Sequence, residues 1–138
     1  MKQETEADMN IVLDTNILVS AAWSPGHNAS NILNAVFARK FTICYDYRIL
    51  EEYDRVLHYP KLKFNEWEIN SILDPLIKNG ISVIANPITD VSFDRDETDR
   101  KFYEVAKFCH AILISGNLIH YPADPDIMSP ADFCKRYL

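Results

Sequence analysis

The sequence predicts an α/β domain in which helices cover both faces of a central, mostly parallel sheet. Short apolar segments alternate with amphipathic helical segments along the chain, and this alternation is typical of parallel sheets. The 138 residues, 48% of them hydrophobic, suffice for one domain with a substantial core. The predicted organisation is a flexible, acidic tail over residues 1–8 and a single domain over residues 9–138.

The predicted strands are short apolar segments, and they cover residues 10–14, 41–44, 81–84 and 111–115. Helices are predicted over residues 15–23, from 28 or 30 to 39, from the N-cap Asp46 to Pro60, and over residues 65–78, 98–109 and 130–137. Asn79-Gly80 is a good C-terminal stop for the fourth of these helices. Ligands of such sheets bind beyond the carboxyl ends of the strands, so the residues after each strand matter most.

Composition excludes several classes of protein. No apolar segment approaches the ~20 residues of a membrane helix, and the polar residues 1–8 lack the apolar centre of a signal peptide. The three cysteines form no C-x-x-C pair, which indicates a reducing, cytoplasmic setting. No two of the four histidines have the spacing of a helical zinc site. A net charge of −6 argues against general capture of a polyanion, although metal ions could supply positive charge.

Acidic residues lie at three positions that could meet at one edge of the sheet. Asp14 ends the first strand, where its ordinary role would be to cap the next helix. Glu52 flanks the apolar face of its helix, about 100° from the centre of that face, whereas Glu51 points to solvent. Asp99 lies on the buried side of its helix, where a carboxylate is costly unless a metal ion, Arg100 or a backbone amide compensates it.

The last central strand is followed by Ser115-Gly116-Asn117, which offers neutral oxygen ligands or an ordinary turn. Asp96 and Glu97 suit the positive end of a helix dipole. Crowded carboxylates repel one another, and Mg²⁺ prefers hard oxygen ligands. The sequence therefore predicts a Mg²⁺ or Mn²⁺ site, which could activate water and neutralise a phosphodiester during cleavage of a nucleic acid.

These residues together resemble a PIN domain. The resemblance rests on the segments 11–16, 49–60, 96–102, 114–117 with 120–122, and 129–133, and it spans residues 10–134. It implies a Rossmann-like, three-layer α/β/α sandwich with Mg²⁺- or Mn²⁺-dependent ribonuclease activity. It also implies the toxin half of a bacterial toxin–antitoxin pair, with RNA as substrate, an antitoxin protein as partner and a homodimer as the assembly.

The resemblance also implies roles for individual residues. Asp14, Glu52 and Asp99 match the acidic, catalytic metal ligands, and Asp96 matches an accessory acidic position. Asn16 and Ser115 match polar residues that line the site. Their neighbours Thr15 and Gly116, together with His120, are further candidates for site-lining residues. The family's usual fourth acidic residue falls on Asn117, a neutral amide that weakens any two-metal mechanism. Asp124 or Asp126, in the following loop, could supply charge instead.

Alternatives from other classes remain open at this point. A catalytically weak binding module acting through a partner protein is suggested by Asn117 and the acidic net charge. A phosphatase would need Asp-x-Asp after the first strand, and a receiver domain would need an acidic pair there; Asp14-Thr15-Asn16 provides neither. His120 is read mainly as a loop residue packed on Tyr121, while Trp23 and Trp67 are read as core or interface residues.

Overall fold

The computed structural model describes residues 9–93 and 96–138, so the predicted tail over residues 1–8 lies outside the described residues. The described strands are β1 (Asn10–Leu13), β2 (Thr42–Tyr45), β3 (Ile81–Ser82), β4 (Ile112–Ile114) and β5 (Ile127–Met128). The α-helices are α1 (Thr15–Trp23), α2 (Asn28–Phe37), α3 (Tyr47–Leu57), α4 (Glu66–Asn79), α5 (Arg100–Phe108) and α6 (Pro130–Tyr137).

The strands form one sheet in the order β3-β2-β1-β4-β5, and every pairing is parallel. Helices on both faces complete the three-layer α/β/α sandwich, which confirms the predicted fold class. Among the described helices, none is long and apolar enough to cross a membrane.

Among the differences from the predicted elements, three concern the sheet and the start of α5. The edge strand β5 was not predicted, since its two residues are too few to show an alternating pattern. Strand β3 ends at Ser82 rather than at residue 84, although the Val83 amide still donates to the Tyr45 carbonyl at 2.9 Å. Helix α5 starts at Arg100 because a 3₁₀ turn, Glu97–Asp99, precedes it.

The core lies between the central strands and the helices packed on them. Ile11, Val12 and Leu13 of β1 are fully buried, and α5 packs across β1, β2 and β4. Helix α3 buries Tyr53, whose hydroxyl donates to the Leu13 carbonyl at 2.6 Å. This buried hydrogen bond ties α3 to the carboxyl end of β1, so the two elements that carry Asp14 and Glu52 hold each other in place.

The strand order creates a switch point between β1 and β4. The chain moves outward from β1 to β2 and β3, then returns to the other side of β1. The register pairs Leu13 with Ile114, and the Asp14 amide donates to the Ile114 carbonyl at 3.1 Å. Asp14 and Ser115 therefore flank the crevice where ligands of open parallel sheets bind.

Gly80 ends α4 for a different reason from the one its sequence context suggests. Its φ of −86° lies outside the left-handed region that favours glycine. A Cβ atom here would lie 2.5 Å from the Leu76 carbonyl oxygen and 2.8 Å from a ring carbon of Tyr45. The glycine is required by the close approach of the end of α4 to β2.

We expect Gly80→Ala to lower the free energy of unfolding by about 1–3 kcal/mol, because the helix carbonyl cannot move away without disturbing α4. Gly116→Ala is the matched control: a Cβ atom there meets nothing within 4 Å, so its effect should stay within about 0.5 kcal/mol. Urea unfolding curves of the two variants measure the difference. Equal midpoints for the two variants would contradict the close-approach explanation.

Candidate functional site

Asp14 is a buried carboxylate held by hydroxyl groups from the neighbouring strand and loop. Its Oδ2 accepts hydrogen bonds from the Ser115 hydroxyl at 2.9 Å and the Tyr121 hydroxyl at 3.1 Å. Its Oδ1 accepts from the Asn16 amide at 3.3 Å, so Asp14 also caps α1. The capping role and the site role considered for Asp14 are therefore compatible. Tyr121 was not predicted to contact Asp14.

Glu52 reaches the same region from α3. Its Oε2 accepts a hydrogen bond from the Thr15 hydroxyl at 2.5 Å, next to Asp14 in the chain. Its Oε1 forms an ion pair with the Lys101 ammonium at 2.7 Å. Glu51, its neighbour, is exposed and pairs with Arg55 on the helix surface at 3.2 Å. Only Glu52 of this acidic pair contacts residues beside Asp14.

Asp99 is buried at the end of the 3₁₀ turn, and His120 lies against it. The distance from Asp99 Oδ2 to His120 Nδ1 is 3.0 Å, so His120 contacts a site carboxylate. Arg100 pairs with Glu97 instead of Asp99. Burial raises the pKa of Asp99 to about 6; the His120 hydrogen bond opposes this shift, and the nearby charges of Asp14 and Asp96 add to it.

The remaining predicted residues make local hydrogen bonds or are exposed to solvent. Asp96 accepts from the backbone amide of Thr98 at 3.0 Å and from its hydroxyl at 2.6 Å, and these bonds lower the pKa of Asp96. The backbone amide of Asn117 donates to the Ser115 hydroxyl oxygen at 3.0 Å. Gly116 and Asn16 are exposed.

Asp124 and Asp126 do not join these residues. Asp124 forms an ion pair with Lys107, near the far end of α5 from Asp99, and Asp126 is exposed.

Each of the three carboxylates in the site has its own hydrogen-bond or ion-pair partner. Asp14 is held by two hydroxyls, Glu52 by Thr15 and Lys101, and Asp99 by His120. Across residues 9–93 and 96–138, no three acidic, imidazole or thiol groups already converge tightly enough to hold an ion. The donors are nevertheless hard oxygens, and burial, together with the nearby charges of Asp14 and Asp96, raises the pKa of Asp99. This chemistry fits a divalent cation, provided that Glu52 exchanges its ion pair with Lys101 for the ion.

We expect Asp99→Asn to raise the melting temperature of the metal-free protein at pH 7.5 by a few degrees, because it removes an unfavourable buried charge. The pKa of about 6 in the folded protein lies above the ordinary aspartate value of 3.8, so the destabilisation by the Asp99 charge is fully present above pH 6. It fades as the pH falls through 6, and the difference between variant and wild type should shrink. Thermal denaturation in EDTA from pH 7.5 to 5 measures this trend.

Asp96→Asn is the matched control for that experiment. The Thr98 hydrogen bonds lower the pKa of Asp96, so its charge is favourable and the substitution should give no gain in melting temperature. If the Asp99→Asn protein melts at a lower temperature than wild type at pH 7.5, the buried charge of Asp99 does not destabilise the fold.

The fold and site together define a class: an open parallel α/β sheet with acidic, oxygen-rich side chains at its β1/β4 switch point. Residues 10–118 match the model of the PIN domain. The chain therefore belongs to the PIN domain family, whose members are generally nucleases and typically use divalent metal ions. This finding confirms the family resemblance drawn from the sequence.

The similarity extends to individual proteins, among them one relative by sequence and one solved structure. The uncharacterized protein MJ1680 of Methanocaldococcus jannaschii is 33% identical over 133 residues, which cover 96% of this chain and 81% of that protein. The crystal structure of VapBC2 from Rickettsia felis, bound to a DNA fragment from their promoter, contains a chain that matches with a TM-score of 0.56. That match is 17% identical and covers 88% of this chain and 97% of the other, so it supports the fold.

Proposed function

We propose that this protein is a Mg²⁺- or Mn²⁺-dependent endoribonuclease that acts as the toxin of a toxin–antitoxin pair. The observation that carries the proposal is the hydrogen-bonded linkage of Asp14, Glu52 and Asp99 to neighbours at the switch point of a PIN-family sheet. Buried carboxylates repel one another because they carry the same charge, and this repulsion lowers the stability of the folded state. Their presence is understandable if a cation compensates them in the working protein.

Asp14, Glu52 and Asp99 would hold the ion, with the Asn117 side chain and Asp96 as accessory groups. When bound, the ion activates water and neutralises charge on the phosphodiester. The hydroxyls of Ser115 and Tyr121 orient Asp14, and the hydroxyl of Thr15 orients Glu52.

Proton transfer would involve Asp99 and the imidazole beside it. Asp99 Oδ2 and His120 Nδ1 lie 3.0 Å apart, so a proton accepted by the carboxylate can pass to the ring in the tautomer whose Nδ1 carries no hydrogen. Glu52 is the other available proton acceptor. At the remaining position, Asn117 brings no charge, which favours one tightly held ion over two.

An antitoxin partner is supported by the structural similarity to VapBC2 and by exposed aromatic side chains. Trp23 is 55% exposed and Trp67 76% exposed, so neither is a core residue. Trp23 packs beside Phe64, with ring centroids 6.2 Å apart. Exposed aromatics suit a contact with an antitoxin or a second copy of the chain, and the interface interpretation of both tryptophans is part of this proposal.

The acidic pair on α3 provides a sharp test. Purified wild type, Glu52→Gln and Glu51→Gln are incubated with a mixed RNA pool in Mn²⁺, Mg²⁺ or EDTA. We expect cleavage by wild type and Glu51→Gln that EDTA removes, and at least about 100-fold slower cleavage by Glu52→Gln. The two variants remove the same charge one residue apart, so unequal rates report the site rather than the net charge.

The alternative function, a catalytically weak binding module, is motivated by Asn117 and the net charge of −6. It would gain support if wild type stayed folded but cleaved no RNA under any metal. Equal cleavage by the Glu51 and Glu52 variants would contradict the proposed role of Glu52.

A further inference from the structure

Lys101 lies in the candidate site as a cation already bound to Glu52. Its ammonium is 2.7 Å from Glu52 Oε1, and its side chain is 12% exposed. It also donates to the Thr98 carbonyl and lies 5.0 Å from the centre of the Phe102 ring. A largely buried lysine with these contacts is more restricted than the solvated lysines of a helix surface.

Both oxygens of the Glu52 carboxylate are therefore occupied. Thr15 donates to one oxygen, and Lys101 holds the other. The Thr15 hydroxyl is neutral and can keep its hydrogen bond beside a cation. An ammonium and a divalent ion at the same carboxylate oxygen would repel each other, so the two cations are alternatives.

We propose that Lys101 is a positioning residue that holds Glu52 in place in the metal-free protein and is exchanged for the divalent ion. The inference rests on the proposed function, because it takes Glu52 as a metal ligand. Lys101 stabilises only the metal-free state, and it thereby sets the affinity of the site for the ion. The ammonium keeps the carboxylate ordered and aimed at the sheet edge until the ion replaces it.

The same helix provides a matched control. Lys107 also lies over an aromatic ring, 5.5 Å from the centre of Tyr103, and also pairs with a carboxylate, that of Asp124. Its partner does not belong to the site. Lys107→Met therefore removes the same charge from the same helix without touching Glu52.

The first measurement is a calorimetric titration of the full-length metal-free protein with Mn²⁺. Lys101→Met should bind Mn²⁺ about fivefold more tightly than wild type, because no ammonium must be displaced. Lys101→Arg keeps a competing cation and should stay within about twofold of wild type, as should Lys107→Met.

The second measurement separates exchange from a structural role. Urea unfolding is compared for wild type and Lys101→Met, in EDTA and in saturating Mn²⁺. Exchange predicts that Lys101→Met is less stable than wild type in EDTA and equally stable in Mn²⁺, since the contact is absent from the metal-bound state. A purely structural lysine would lower stability equally in both conditions and leave the Mn²⁺ affinity unchanged.

The outcomes separate this inference from the proposed function. Mn²⁺ binding of equal affinity in wild type and Lys101→Met, with equal destabilisation in both conditions, would overturn the exchange and leave the nuclease proposal intact. Failure of wild type to bind Mn²⁺ at all would overturn both.

Discussion

Asp14→Asn should slow RNA cleavage by about 10³-fold or more while leaving the fold intact. The amide has the shape of the carboxylate, and its oxygen can still accept hydrogen bonds from Ser115 and Tyr121. That orientation turns the NH₂ group toward the Asn16 backbone amide, so the side-chain cap of α1 is lost at a cost of about 1 kcal/mol, which we expect the fold to tolerate. What it lacks is the negative charge at the switch point of the sheet, and a divalent ion requires that charge.

The measurement is a rate of RNA cleavage per folded molecule, with circular dichroism confirming that Asp14→Asn is folded. Asp46→Asn is the matched control, since Asp46 is also buried at a strand-to-helix junction and caps α3 through the Ile49 amide. Its carboxylate pairs with Arg48 and belongs to no proposed ligand set. Cleavage retained by Asp14→Asn would refute the assignment of the site.

Arg48→Met should lower the free energy of unfolding by about 3 kcal/mol. The guanidinium lies 2.7 Å from Asp46 and 2.8 Å from Glu104, and each of those carboxylate side chains is only 3% exposed. Glu104 also accepts from the Ile88 amide at 2.8 Å, so this network joins α3 and α5 to the loop after β3. Methionine fills similar space but leaves two buried charges without a counterion.

Equilibrium urea unfolding measures this loss, and Arg55→Met provides the comparison. Arg55 pairs with Glu51 on the exposed surface of the same helix, and pairs of that kind contribute at most about 1 kcal/mol. Similar unfolding midpoints for the two variants would show that the buried network contributes no more than a surface pair. Adding Glu104→Leu to Arg48→Met should recover part of the loss, because one unpaired buried charge is then removed.

The sequence predicts which strands and helices carry the site residues, but it does not predict which side chains contact one another. Asp14 and Ser115 follow from the rule that parallel strands share a carboxyl edge, which needs only local apolar patterns. The contact of Tyr121 with Asp14 joins residues 107 positions apart, so no local period could reveal it. The ion pair of Lys101 with Glu52 is likewise a tertiary contact, although Lys101 lies in the segment 96–102, which carries part of the family resemblance.

Two further differences have the same origin. Strand β5 exists because Ile127 and Met128 pair with β4, and two residues in a loop carry no pattern of their own. Gly80 was read as a helix terminator from its neighbours, yet the atoms that exclude a side chain there belong partly to β2. In each instance at least one of the contacting residues belongs to another strand of the sheet. Predictions that depend on one segment agreed with the structure better than predictions that depend on two.

The parts of the site should differ in backbone mobility, according to their distance from the paired strands β1 and β4. Asp14 sits on the backbone ladder of the two central strands, whose amides should be among the last in the molecule to exchange with solvent hydrogen. Asp99 and His120 sit on 3₁₀ turns at the periphery, and Gly116 beside them is exposed. Any reshaping of the site is therefore expected to move the turns toward Asp14. Asp14 should keep its position while Asp99 and His120 move relative to it.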